Sequence, residues 1–97
     1  MEKLEYFSKV IKVVTELTEV TDAEILGKSR KAEVVDARWL VVVLMRDKGY
    51  TTRQISRLIC HPERTVNHVI NNIDERIKYS YNGLGNILAI SRQLLRE

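Results

Sequence analysis

The chain alternates apolar stripes at helical spacing with short polar breaks. From Glu2 to about Val20, Leu4, Phe7, Ile11 and Val14 recur every three or four residues, and Val10, Val13, Leu17 and Val20 form a second stripe beside them. This spacing predicts a helix. Its apolar arc covers close to half the circumference, wider than one packing surface needs. Either two neighbouring elements cover it or a partner chain does, and two neighbours are the simpler solution. Thr21 with Glu24 three residues on is a capping box, which opens a short turn of helix over Asp22–Leu26. Gly27 is placed to end it.

The segment from Glu33 to Lys48 poses a conflict. Trp39 to Met45 is an unbroken apolar run with three consecutive valines, and local propensity alone points to a buried strand. Length points the other way, because about four helical turns fit before Gly49, with Arg46 and Lys48 in the last turn. The expectation is a helix buried nearly all round, at the centre of the domain. Arg38 and Arg46, eight residues apart, share one of its faces and are expected on the side of the basic loop Lys28-Ser29-Arg30-Lys31.

The stretch from Thr51 to Ile73 carries the functional pattern. Thr51 and Gln54 form a further capping box, and Ile55, Leu58 and Ile59 give one apolar face. Cys60, His61 and Pro62 interrupt it, with Pro62 suited to the first turn of a new helix. Val66, Val69, Ile70, Ile73 and Ile77 then carry the next face. Apolar Ile55, Ile59, Val66 and Val69, with small Ser56 and Cys60 between, match a helix-turn-helix whose second helix enters the DNA major groove. At 100° per residue the opposite side of that helix carries Arg64, His68, Asn71, Glu75 and Lys78, flanked by Thr65 and Asn67. Arg suits guanine and Asn suits adenine, so Arg64, Thr65, Asn67, His68 and Asn71 are the candidate readers of base edges. Arg53 and Arg57, one turn apart, are placed to touch phosphate. After Asn82-Gly83 a last short helix runs to Arg96, with Leu84, Ile87, Leu88 and Leu94 or Leu95 inward. The fold expected is all-α, about six helices in a single domain over residues 1–97, with residues 51–79 as the helix-turn-helix and its extended recognition helix.

Charge sharpens this picture. The net +3 divides unevenly: residues 1–27 sum to −3, residues 28–64 to +5 and residues 65–97 to +1. Positive charge therefore lies on and just before the helix-turn-helix, as contact with a polyanion requires. Other chemistry is thin. The Gly27-Lys28-Ser29 triplet is no P-loop, since the upstream glycine would fall at Asp22 and no strand precedes it. Cys60, His61 and His68 lack a fourth ligand for a tetrahedral metal, and no pair of acids suggests hydrolysis. With one cysteine no intrachain disulfide forms, and a reducing compartment fits. No apolar run reaches the roughly 20 residues of a membrane span, and Glu2 and Glu5 break a signal-peptide layout.

The run Thr18-Glu-Val-Thr-Asp-Ala-Glu-Ile-Leu-Gly-Lys-Ser-Arg-Lys-Ala-Glu-Val-Val-Asp-Ala-Arg38 resembles the start of the C-terminal DNA-binding domain of the bacterial replication initiator DnaA. Arg53-Gln-Ile-Ser-Arg-Leu-Ile59 and Thr65-Val-Asn-His68 continue the resemblance, and residues 1–20 resemble the linker helix that precedes that domain. The resemblance implies a fold akin to the Trp repressor and binding without catalysis. It also implies an arginine, matching Arg38, directed at the minor groove. The chain departs from the family in two ways. It has no room for the initiator's ATPase module, and its turn, Cys60-His61-Pro62-Glu63-Arg64-Thr65-Val66, is one residue shorter, with only Thr65 and Val66 in register.

The function expected is double-stranded DNA binding in replication control or transcription regulation, in the cytoplasm at the nucleoid, with no cofactor, no metal and no membrane. Lys28, Arg30, Lys31, Arg38, Arg46, Arg53 and Arg57 are expected to position the duplex. His61, Arg64, Thr65, Asn67, His68 and Asn71 are expected at the bases. A protein-interaction module or replication accessory that keeps the fold is the alternative, and the wide face of the first helix could receive a homodimer or a protein partner.

Overall fold

The valine-rich run from Trp39 to Met45 lies in a helix, and the rest of the chain packs around it. The computed structural model describes residues 2–80 and 83–96, without the side chains of residues 2–4. Those residues form six helices: α1 (Glu2–Thr18), α2 (Asp22–Leu26), α3 (Ala32–Asp47), α4 (Thr52–Ile59), α5 (Glu63–Lys78) and α6 (Leu84–Arg96). No strand occurs among them. Every other helix touches α3. Val34, Ala37 and the whole run Leu40–Met45 are buried, so α3 has no wet face over its middle turns. A valine costs a helix up to about 0.7 kcal/mol relative to alanine. Burying the same side chain contributes roughly 1.5–3 kcal/mol, so tertiary packing overrides the strand propensity. Gly49, at φ +104°, lets the chain leave α3 in a conformation that other residues avoid.

The two stripes of α1 are buried unequally, with Val13 and Leu17 of the second only half-buried. Val10 and Val14 are fully buried, and α1 packs against both α3 and α6. Phe7 and Ile11 lie against Thr21, Asp22 and Leu26 at the start of α2 and its end. Leu4, the first residue of the expected stripe, has a side chain outside the described residues. In α6, Leu84, Leu88 and Ser91 are buried and Leu95 is half-buried, whereas Leu94 is exposed. Asn82, half of the expected helix break, lies outside the described residues, and Gly83 takes φ +68°.

Both capping boxes form. Thr21 Oγ1 accepts from the Glu24 N–H while Glu24 Oε1 accepts from the Thr21 N–H, and Thr51 and Gln54 repeat the exchange at α4. Gly27 closes α2 with its N–H on the Glu24 carbonyl, but at φ −87° it needs no glycine-only conformation. Space favours glycine there: a Cβ at this position would lie 3.0 Å from the Ala23 carbonyl oxygen, a tight contact.

Candidate nucleic-acid interface

The turn between α4 and α5 is built on Cys60 in the left-handed region, φ 62° and ψ 38°. This conformation lets the N–H groups of Cys60 and His61 both reach the Ser56 carbonyl. The Ser56 hydroxyl donates to the His61 carbonyl, so a residue expected only to leave room for a crossing helix also pins the turn. Pro62 stands one position earlier than expected, as the residue before the first turn of α5. Its carbonyl accepts from the Thr65 and Val66 N–H groups. Ile55 and Ile59 of α4 and Val66 and Val69 of α5 are buried, which fixes the two helices against each other and against α3.

With that face inward, the polar side of α5 faces out. Arg64, Asn67, His68, Asn71, Glu75 and Lys78 are exposed and Thr65 is half-buried. The Thr52 hydroxyl donates to Asn67 Oδ1 at 3.3 Å, tying the start of α4 to the first turns of α5. Arg53 and Arg57 are exposed on α4.

Two long-range contacts bring the basic loop to this turn. One nitrogen of the half-buried His61 imidazole, Nε2, donates to the Gly27 carbonyl at 2.9 Å. Lys28 Nζ donates to the Cys60 carbonyl at 3.2 Å. The loop's other cations, Arg30 and Lys31, are exposed. Burial holds His61 below the usual histidine pKa; the Gly27 bond opposes this shift, and the Arg38 and Lys28 charges add to it.

Arg38 differs from its expected role at the minor groove. It is 7% exposed, and its guanidinium donates to four backbone carbonyls: Nε to Ile25, NH1 to Ser29, and NH2 to both Glu24 and Gly27. The last carbonyls of a helix lack intrahelical partners, so Arg38 caps α2 from the side, sharing Glu24 with the Gly27 N–H and Gly27 with His61, and gathers the loop after it. Burial pulls the Arg38 pKa down from its ordinary value. Arg46 also departs from expectation. It is exposed at the far end of α3, beside Ile70, Ile73 and Arg92. The helical rise puts it roughly 20 Å along the axis from the loop that precedes Ala32, so α3 does not bring it to Lys28, Arg30 and Lys31.

The interface thus joins two strips: the loop at 28–31 and the turn with the exposed polar side of α5. Seventy residues of the chain, 71% of its length, are 39% identical to the chromosomal replication initiator protein DnaA of Leptospira biflexa serovar Patoc, in strain Patoc 1 / Ames and in strain Patoc 1 / ATCC 23582 / Paris. The likeness is to DnaA. The match covers 16% of each of these relatives, their C-terminal part. No family model matches the chain, and no solved structure does.

Four residues of this surface escaped the sequence pattern. Trp39 was assigned to the core, yet it is half-buried between His68 and Arg76. Arg76 pairs with Asp36 at 2.6 Å, forty residues away in sequence, and no local signal announces such a pair. Asn72 bonds His68, and the four-residue spacing of those two on a helix is the one signal that was open to reading. Among the described residues no group of His, Cys, Asp and Glu could hold a metal ion, and no helix is long and apolar enough to cross a membrane.

Proposed function

We propose that this DnaA-like chain binds double-stranded DNA, with α4 and α5 acting as a helix-turn-helix and the basic loop as a second contact. The observation that carries the proposal is the pair of bonds from His61 to Gly27 and from Lys28 to Cys60. They set the cationic loop beside the first turns of α5, so one duplex can meet both. Lys28, Arg30, Lys31, Arg53 and Arg57 then face phosphates, which position without reading sequence. Arg64, Thr65, Asn67, His68 and Asn71 stand where a recognition helix meets base edges. Arg38 acts behind this surface, holding the loop. The role is binding rather than catalysis, in replication control or transcription regulation.

The test is a titration of duplex DNA at increasing salt. If four to six phosphates are neutralised, log K against log salt should fall with a slope of roughly −4 to −5. A flat salt dependence, or no binding at about 50 mM salt, would point instead to a protein-interaction module on the same fold.

A further inference from the structure

His68 is exposed on α5, yet its ring has Trp39 and Asn72 as neighbours. The Trp39 ring meets it edge-on, centroids 5.6 Å apart and planes at 90°. Trp39 is covered in turn by the Arg76 guanidinium, 4.7 Å from its centroid, and Arg76 Nε donates to Asp36 Oδ1. One turn along α5, Asn72 Nδ2 lies 2.7 Å from the His68 carbonyl oxygen and 3.2 Å from His68 Nδ1.

These distances determine where the imidazole proton sits. A carbonyl oxygen only accepts, so the Asn72 atom facing it is the amide nitrogen, not the amide oxygen. The second hydrogen of that nitrogen points to Nδ1, which must therefore offer a lone pair. A neutral imidazole with a bare Nδ1 carries its hydrogen on Nε2. We propose that Asn72 and Trp39 are positioning residues that hold His68 as a fixed Nε2–H donor, presented from the recognition helix to a hydrogen-bond acceptor on bound duplex DNA. Guanine O6 and N7, thymine O4 and a phosphodiester oxygen all supply that chemistry; the amino group of cytosine does not. The inference rests on the DNA-binding function proposed above and adds the polarity of one contact.

Two experiments test it. Long-range proton–nitrogen NMR of the free protein near pH 8.5 reads the tautomer without DNA. The Nε2–H form is expected in the wild type, and Asn72→Asp, which replaces a donor with an acceptor, should move the proton to Nδ1. A tautomer unchanged by that substitution would overturn the proposal. In duplex binding, His68→Ala should weaken affinity about fivefold, the worth of one ordinary hydrogen bond. Asn72→Ala should weaken the wild type but have no further effect in the His68→Ala background. Equal losses in both backgrounds would mean that Asn72 acts independently of His68, and the proposal fails. A His68→Ala loss confined to the preferred sequence identifies a base edge as the acceptor, and an equal loss on all duplexes identifies a phosphodiester oxygen. If the chain binds DNA and His68→Ala binds as well as wild type, this inference alone falls. If the unmodified chain binds no duplex, the DNA-binding function falls with it.

Discussion

Arg38 stands behind the candidate interface with its charge turned inward. Among the described residues no carboxylate pairs with it; its partners are the four carbonyls of Glu24, Ile25, Gly27 and Ser29. Those oxygens cluster at the C-terminal end of α2, where the backbone dipoles leave partial negative charge. Arg38→Met would keep most of the side chain's bulk and take the guanidinium from the Ile25 and Ser29 carbonyls, while Glu24 and Gly27 would keep the Gly27 N–H and the His61 imidazole as donors. Each unsatisfied buried group costs about 1–3 kcal/mol, so with two such groups a loss of at least about 2 kcal/mol in urea unfolding is expected. A loss under about 0.5 kcal/mol would mean that the loop keeps its shape without the clamp. His61 adds a pH dependence. Its folded pKa is lowered, chiefly by burial, so an unfolded chain takes up a proton that the folded one resists. Its contribution is present above the ordinary histidine value of about 6.5 and is lost as pH falls below it. Stability should therefore decline as pH falls below about 6.5, and His61→Gln should flatten that decline. An unchanged slope in the variant would place the titrating group elsewhere.

At the scale of elements, the proposed function assigns base reading to α5 and phosphate contact to the basic loop. Arg64 is exposed in the first turn of α5, where a guanidinium can pair with both acceptors of a guanine, worth about 1–3 kcal/mol of discrimination. Lys31, exposed at the entry to α3, is assigned by the same proposal to phosphate, which carries no sequence information. Arg64→Ala should cost the preferred site more than a random one and relax preference at one base pair. Lys31→Ala should weaken both alike and reduce the salt slope by about one unit. Uniform weakening by Arg64→Ala would show that the short turn presents a different side of α5.

The helices themselves were legible because their causes are local. Capping boxes at Thr21 and Thr51, glycine at position 49 and apolar spacing in α4 and α5 each act within a few residues. Arg38 was legible as a cation but not as a clamp, because its partners are set by where α2 ends, nine to fourteen residues upstream. The grouping of Arg46 with the loop failed for a related reason: sharing a helix face does not mean sharing a helix end. Cys60 looked suited to the turn by its size. Its left-handed backbone, which no sequence spacing reports, is what the turn requires.

Over the whole molecule, α3 is both core and scale bar. It carries the loop at its N-terminus, supports α4 and α5 on one side and is covered by α1 and α6 on others. Within the apolar arc of α1, Val10, Val14 and Val20 are buried, while Val13 and Leu17 stay half-buried. The +5 charge of residues 28–64 thus sits on a frame that holds the loop and the turn in fixed relation. The most direct test of that arrangement is an amide NMR titration of the protein with a duplex at low salt. Binding through both strips should shift the amides of residues 28–31 and of residues 60–71 together, at the same DNA concentration, and leave α1 and α6 unmoved. Shifts confined to one strip, or centred on α1 or α6, would contradict the account.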